Sequence, residues 1–243
     1  MQFHFIISGT RFPLVDKPIP LAGATVNLAT VPYSPAELDR IVGLVGLKER
    51  AWPYWLEDWP ATYALAAVLD GEEPSSWPGP VLDLGCGSGV LAAYLRLRFG
   101  IVPFSCDFNG DACRLAALNV LLNAPMHPGG GSEDGKAVGA GPAGRVFCAD
   151  FRAFPARAEF GLVLGGEMLY AAENQAPILA FLARHLVRGG TALFADPGRS
   201  AAEGFSESAR GLGFKVETRE LPVRAGDWKE PRDVRVYRLI RDR

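Results

Sequence analysis

The sequence predicts an α/β protein: an open, mostly parallel, seven-stranded sheet with helices on both faces and an N-terminal accessory segment. Three observations carry that expectation. From Val81 onward, apolar runs of strand length alternate with longer segments of helical period, the pattern of strands joined by crossover helices. The first strand, Val81-Leu82-Asp83-Leu84, runs directly into Gly85-Cys86-Gly87-Ser88-Gly89, and Val90, Leu91, Tyr94 and Leu95 follow at helical spacing. The last two strands are joined by a polar, turn-rich stretch from Pro222 to Pro231 with no helix between them. The final strand is therefore expected to lie antiparallel to its neighbours.

Taken in order, the elements divide the 243 residues into an accessory segment, 1–50, and a main domain, 51–243. In the accessory segment Phe3, Phe5 and Ile7 alternate like a strand, and Ala24 to Leu28 reads as another. Ser34-Pro35-Ala36-Glu37 is a helix start, with a capping Ser, Pro at the first helical position and Glu three residues after the cap. Leu38, Ile41, Val42 and Val45 form that helix's apolar face. A run of four aromatics and two acids, Trp52 to Pro60, leads into a helix over Ala61–Leu69. The main sheet is predicted from strands at 80–84, 101–106, 145–149, 160–165, 191–196, 214–219 and 233–240, with helices at 89–99, 110–122, 174–187 and 200–212. Residues 124–144 are rich in Gly and Pro and poor in apolar side chains. They cannot bury enough area to offset their ordering entropy, which predicts a flexible surface insertion, with an active-site lid as the other reading.

Composition narrows the classes. A net charge of −2 gives no basic excess of the kind nucleic-acid binding needs, and no nucleic-acid partner is expected. Arg238, Arg241 and Arg243 read as a solvated edge. Cys86, Cys106, Cys113 and Cys148 form no C-x-x-C pair and the three His are far apart, so no metal site is expected. Cys86, Cys106 and Cys148 fall in or beside predicted strands, where a free thiol acts as a small apolar residue; this reads as a reducing, cytoplasmic setting. The N-terminus shows no signal-peptide pattern, and no apolar run is long enough to span a bilayer.

The glycine turn carries the chemistry. Gly85, Gly87 and Gly89 remove side chains where backbone must approach a ligand. Gly87 to Ala92 also fits the loose G-x-G-x-x-A form of a dinucleotide fingerprint. A pyrophosphate, however, wants no anion in its loop, and Asp83 stands two residues before the first glycine. A cationic ligand without phosphate fits better, and S-adenosylmethionine has a sulfonium, an ammonium and no phosphate. Asp107, at the end of the second strand, can accept two ribose hydroxyls. The competing reading is a helix cap, a role Asn109 fills more naturally. Asp150, after the third strand, can accept from an adenine amino group with Phe151 flanking the ring, or be an ordinary loop acid. Glu167 and Tyr170, after the fourth strand, would line the mouth for a methyl acceptor, against the reading of a capping acid and a packing aromatic. Tyr54, Trp55 and Trp59 can wall a methylene chain and cradle a cation, or be core. The Asp196-Pro197-Gly198-Arg199 turn closes the fifth strand at the same edge, ordering a loop over the site or only making the turn.

These residues resemble the seven-strand, Rossmann-like methyltransferases that use S-adenosylmethionine. Within that class the chain is similar to the protein lysine methyltransferases marked by an Asp/Glu-x-x-Tyr motif, of the kind that modifies the β subunit of electron-transfer flavoprotein. Pro53-Tyr54-Trp55 with Trp59-Pro60, Val81 to Gly89, Glu167 to Tyr170 and Asp196 to Arg199 carry the resemblance, which spans roughly 52 to 200. It implies cofactor contacts at Asp83, Gly85, Gly87, Asp107 and Asp150, with Trp59 near the adenosine, and an acceptor role for Glu167 and Tyr170. Two positions depart from the pattern: Glu167 where relatives usually carry Asp, and Gly161 where an Asp is common. The implied activity is methyl transfer to a lysine amine of a protein substrate. A small-molecule N-, O- or S-methyltransferase and a non-catalytic cofactor-binding regulator stay open as alternatives.

Overall fold

A computed structural model describes residues 3–32, 34–45, 53–123, 145–154, 157–224 and 230–242. The 124–144 segment and Trp52 lie outside the described residues. Two hairpins come first, β1 (His4–Ile7) with β2 (Thr10–Pro13) and β3 (Val15–Leu21) with β4 (Ala24–Thr30), followed by α1 (Pro35–Val45) and α2 (Pro60–Asp70). The main domain continues through β5 (Val81–Leu84), α3 (Val90–Phe99), β6 (Phe104–Asp107), α4 (Gly110–Leu122), β7 (Val146–Cys148) and β8 (Phe160–Gly166). It ends with α5 (Gln175–His185), β9 (Leu186–Asp196), α6 (Phe205–Gly211), β10 (Phe214–Val223) and β11 (Arg232–Arg241).

The seven-stranded sheet has the order β10-β11-β9-β8-β5-β6-β7. Strands β9, β8, β5, β6 and β7 are mutually parallel, and β11 inserts between β9 and β10 antiparallel to both, as the missing helix before it predicts. The chain steps outward from β5 through β6 to β7, then returns to the other side of β5 with β8. That reversal opens a crevice at the carboxyl ends of the strands, the place where open α/β sheets bind ligands.

Period-two alternation buries both faces. Leu162, Leu164, Leu193 and Ala195 pack with α2 and α3 on one side. Leu82, Leu84, Val163 and Phe194 pack with α5 and α6 on the other. Each fully buried Leu or Phe contributes about 1.5–3 kcal/mol relative to exposure. Gly161 has a packing reason: a Cβ there would lie 2.6 Å from the backbone of Pro78 and Gly79, so the Asp common at this position does not fit.

The hairpins share cores with the main domain. Phe5, Ile7 and Phe12 join Ile41, Trp55 and Leu115 in one cluster, while Ile19, Leu21, Val26 and Leu28 join the α2–α3 core. The Asn119 and Asn123 side-chain oxygens accept from Ala29 and Asn27 N–H at 2.8 and 3.0 Å, satisfying backbone N–H groups of β4, the first of them buried. The expected capping Ser is in place, with Ser34 Oγ accepting from Glu37 N–H at 3.2 Å.

Several expectations are corrected. Strand β3 adds to the two strands expected in the first fifty residues; it carries Pro18 and Pro20, which are tolerated in a two-stranded sheet, where every strand is an edge. The helix expected over 200–212 breaks at Gly204, whose φ of 76° divides a short turn at Ser200–Ala202 from α6. The helix expected to reach 187 stops at His185, and β9 begins at Leu186, where β-branched Val187 and Gly189-Gly190 disfavour helix. Cys148 ends edge strand β7 and is exposed rather than buried.

Candidate active site

The glycine turn leaves β5 and enters α3 through residues that only glycine suits. Gly89 has φ 81°, and a Cβ on it would lie 2.7 Å from Ala116 Cα on α4. Gly89 therefore sets the close packing of α3 on α4 and does not itself face the crevice. Gly85 and Cys86 N–H donate to the Cys106 carbonyl at 2.8 and 3.0 Å, tying the turn to β6. The Met168 sulfur occupies the space a Gly85 side chain would take.

Asp107 Oδ2 accepts from Gly87 N–H at 3.1 Å and Oδ1 from Asn109 N–H at 2.8 Å. Helix α4 is capped instead by Asn109, whose Oδ1 accepts from Asp111 and Ala112 N–H. The cap role is thus taken, and Asp107 faces the crevice with its carboxyl pushed up by burial, against the N–H bonds that favour its anion.

Asp83 is the least satisfied group in the site. Its side chain is buried, and Oδ2 has no hydrogen-bond partner among the described residues. Burial, and then the neighbouring Asp107 charge, push its carboxyl from the ordinary 3.8 to about 7, while an N–H from Ala92 acts in the opposite direction. A buried acceptor left without a donor costs free energy unless a ligand supplies one.

Asp150 follows β7, with Oδ1 accepting from Arg152 N–H at 2.9 Å. The Arg152 guanidinium lies 4.9 Å over the Phe151 ring and donates to Asn174 Oδ1 at 2.5 Å. Buried Asn174 in turn donates to the Met168 carbonyl at 3.1 Å.

At the end of β8, Glu167 is buried in the left-handed region, φ 54°. Its Oε1 accepts from Ala61 N–H at the start of α2 at 3.3 Å, and Oε2 pairs with Arg199 Nη2 at 2.5 Å. Burial pushes the Glu167 carboxyl up and Arg199 opposes it. Tyr170 stands at the rim, 55% exposed, with Tyr54 at 47%. Tyr54 packs on Trp59 with ring centres 6.0 Å apart, and Trp59 Nε1 donates to the Tyr54 carbonyl at 3.0 Å. Trp55 divides its roles: the side chain is buried against Phe5 at 6.2 Å, while its backbone runs close beside Gly87.

One cavity of about 480 Å³ gathers these groups, within the usual size of a small-molecule site. Tyr54, Trp55, Trp59, Asp83, Gly85, Gly87, Asp107, Asp150, Phe151, Glu167 and Tyr170 all line it. Sequence reasoning missed Phe108, Arg152, Met168 and Asn174, which also line it. Phe108 carried a signal, an apolar residue directly after a strand-end acid, and it is 53% exposed at the cavity. Asn174 carried none, because its contacts depend on tertiary packing.

No protein-family model matches the chain. Over 75 residues it is 36% identical to the electron transfer flavoprotein beta subunit lysine methyltransferase of Danio rerio, a match covering 31% of this chain and 28% of that protein. A TehB-like SAM-dependent methyltransferase from Corynebacterium glutamicum superposes with TM-score 0.50 at 16% identity, covering 85% of this chain and 96% of that one. Magnesium protoporphyrin IX methyltransferase from Synechocystis, solved with bound SAM, superposes with TM-score 0.50 at 16% identity, over 86% and 93% of the two chains. With its strand order and inserted last strand, the chain has the seven-strand fold of the class I methyltransferases.

Proposed function

We propose that this protein is an S-adenosylmethionine-dependent methyltransferase acting on a lysine amine of a protein. The observation that carries the cofactor assignment is the buried, unpartnered Asp83 oxygen at the cavity wall. It asks for a donor, and a cationic ammonium satisfies it better than any neutral group. A pyrophosphate would instead meet two raised carboxyls, Asp83 and Asp107, in the turn that must cradle it.

The residues present fit the cofactor. Asp83 would take its ammonium, and Gly85 and Gly87 let backbone approach. Asp107 would accept from the ribose hydroxyls. Asp150 would accept from the adenine amino group, with Phe151 and Phe108 against the ring and Trp59 towards the adenosine. When bound, S-adenosylmethionine supplies a methyl group on a sulfonium that departs as a neutral thioether. The chain's own task is alignment more than acid–base power. Tyr54 and Tyr170 would wall the acceptor's methylene chain, and Glu167 would orient its nitrogen; Trp55, expected there as well, gives its side chain to the core.

The lysine assignment rests on the Glu167-x-x-Tyr170 motif and on the partial likeness to a lysine methyltransferase. The four free thiols suit a reducing compartment such as the cytoplasm. No described helix is long and apolar enough to cross a membrane. The test is incubation with methyl-labelled cofactor and cell lysate, in parallel with a heat-treated small-molecule extract. Label on protein lysine is the expected result. Label on metabolites alone would move the acceptor to a small molecule, and label on neither would leave a cofactor-binding regulator.

A further inference from the structure

A buried carboxylate at the acceptor end creates a conflict. Transfer needs a neutral amine, and a free lysine titrates near 10.4. A bare carboxylate beside it would hold it as the ammonium. The structure places a cation at that point. Arg199 Nη2 lies 2.5 Å from Glu167 Oε2, Nη1 lies 3.0 Å from Asp196 Oδ2, and the guanidinium carbon lies 5.6 Å from the Trp59 ring centre. Asp196 is fully buried, and its Oδ1 accepts from Gly198 and Arg199 N–H at 2.8 and 2.6 Å, so the turn carrying the arginine is itself fixed. The remaining Glu167 oxygen meets Ala61 N–H at the positive end of α2. Glu167 is one of two non-glycine residues with positive φ among the described residues, a backbone cost that these bonds hold in place.

We propose that Arg199 is a positioning residue for lysine transfer: it fixes the Glu167 carboxylate and offsets one of the two negative charges of Glu167 and Asp196, so that the incoming amine meets one net charge instead of two and gives up its proton more readily. This rests on the lysine reading above. The acceptor ammonium first gives a proton to solvent water. Its nitrogen lone pair then forms the N–C bond while the C–S electron pair returns to sulfur, and the product's extra proton follows to water.

Other charged or titratable groups line the same cavity. Tyr54 and Glu57 come from the segment before α2, and Tyr170 and Glu173 follow β8. Asp83, Asp107, Asp150 and Arg152 stand at the cofactor end. These groups are common to all the variants, so a difference between variants reads Arg199 and the Glu167 carboxyl it holds.

The test measures methyl transfer to heat-denatured lysate protein against pH, with methyl-lysine identified after hydrolysis. Wild type is compared with Arg199→Lys, Arg199→Met and the charge-balanced Asp196→Asn/Arg199→Met. Calorimetric titration with S-adenosylhomocysteine reports the cofactor end independently of turnover. Removing a cation beside the site should move the acidic limb of the profile upward by about one pH unit in Arg199→Met, and by less in the double variant, which loses one charge of each sign. At pH 7 the Arg199→Met rate should fall about tenfold, with S-adenosylhomocysteine affinity unchanged. Arg199→Lys, which keeps the charge, should hold the wild-type limb. Superimposable limbs for wild type and Arg199→Met overturn the proposal, as does loss of S-adenosylhomocysteine binding. A wild-type enzyme that yields no methyl-lysine at any pH overturns the lysine reading, and this inference with it.

Discussion

Asp83 and Glu167 are both buried acids lining the same cavity, yet they are in opposite states. Asp83 has an oxygen with no partner and a carboxyl raised to about 7. Glu167 has both oxygens occupied, one by the N-terminus of α2 and one by Arg199. The difference separates the two ends of the cavity. The cofactor end is built with a deficit that a ligand fills, because a buried acceptor without a donor is costly. The acceptor end is built already satisfied, so its role is to present a fixed shape and charge. An orphaned group marks where something binds; a satisfied one marks where something is held in register.

The largest effect that would sharpen this contrast lies at the acceptor end. Glu167→Ala should lower transfer at least about a hundredfold, the scale of a misplaced reacting group, while S-adenosylhomocysteine still binds. Calorimetry showing lost affinity instead would assign Glu167 to the cofactor end.

Asp83→Asn should do the reverse, weakening cofactor binding by roughly 10–100-fold, the worth of a charged hydrogen bond. The wild-type pH dependence follows from the same group. Its anion is needed for a cationic ligand, so affinity should fall as pH drops from 7.5 to 5.5, by up to about tenfold per unit below 7. That slope should vanish in Asp83→Asn. The ligand-free protein behaves oppositely. Native Asp83 keeps its proton to about 7 whereas the unfolded chain releases it near 3.8. Between those values the folded state binds more protons, and Asp83's contribution to stability falls as pH rises. Thermal melts of the ligand-free protein should therefore show Asp83→Asn gaining on wild type from pH 5 to pH 8. A stability difference that stays constant or moves in favour of wild type over that range would contradict the burial argument.

Smallest is Asn109→Ala. Loss of a helix cap should cost about 1 kcal/mol in denaturant unfolding and leave cofactor affinity unchanged, because Asn109, although it lines the cavity, has its side-chain oxygen engaged by the first N–H groups of α4. A large affinity loss would show that Asp107 depends on that cap for its position.

The two ends were also unequally legible in the sequence. Asp83, the glycine turn and Asp107 follow from local pattern, since strand, turn and helix start are contiguous and their period is clear. The state of Glu167 was hidden. Its partners, Ala61 and Arg199, lie 106 and 32 residues away and meet it only when β8, β9 and α2 converge. Trp55 looked like a ligand wall and is largely core, because the Phe5 that covers it belongs to a hairpin far along the chain. Parallel-sheet rhythm announced the seven strands, while proline-bearing β3 gave no such signal.

The central claim is that Asp83 awaits a cation. Calorimetric titration of the wild-type protein with S-adenosylmethionine and, side by side, with NADH tests it most directly. The account predicts one S-adenosylmethionine per chain and no heat from the dinucleotide; NADH binding with S-adenosylmethionine ignored would contradict it.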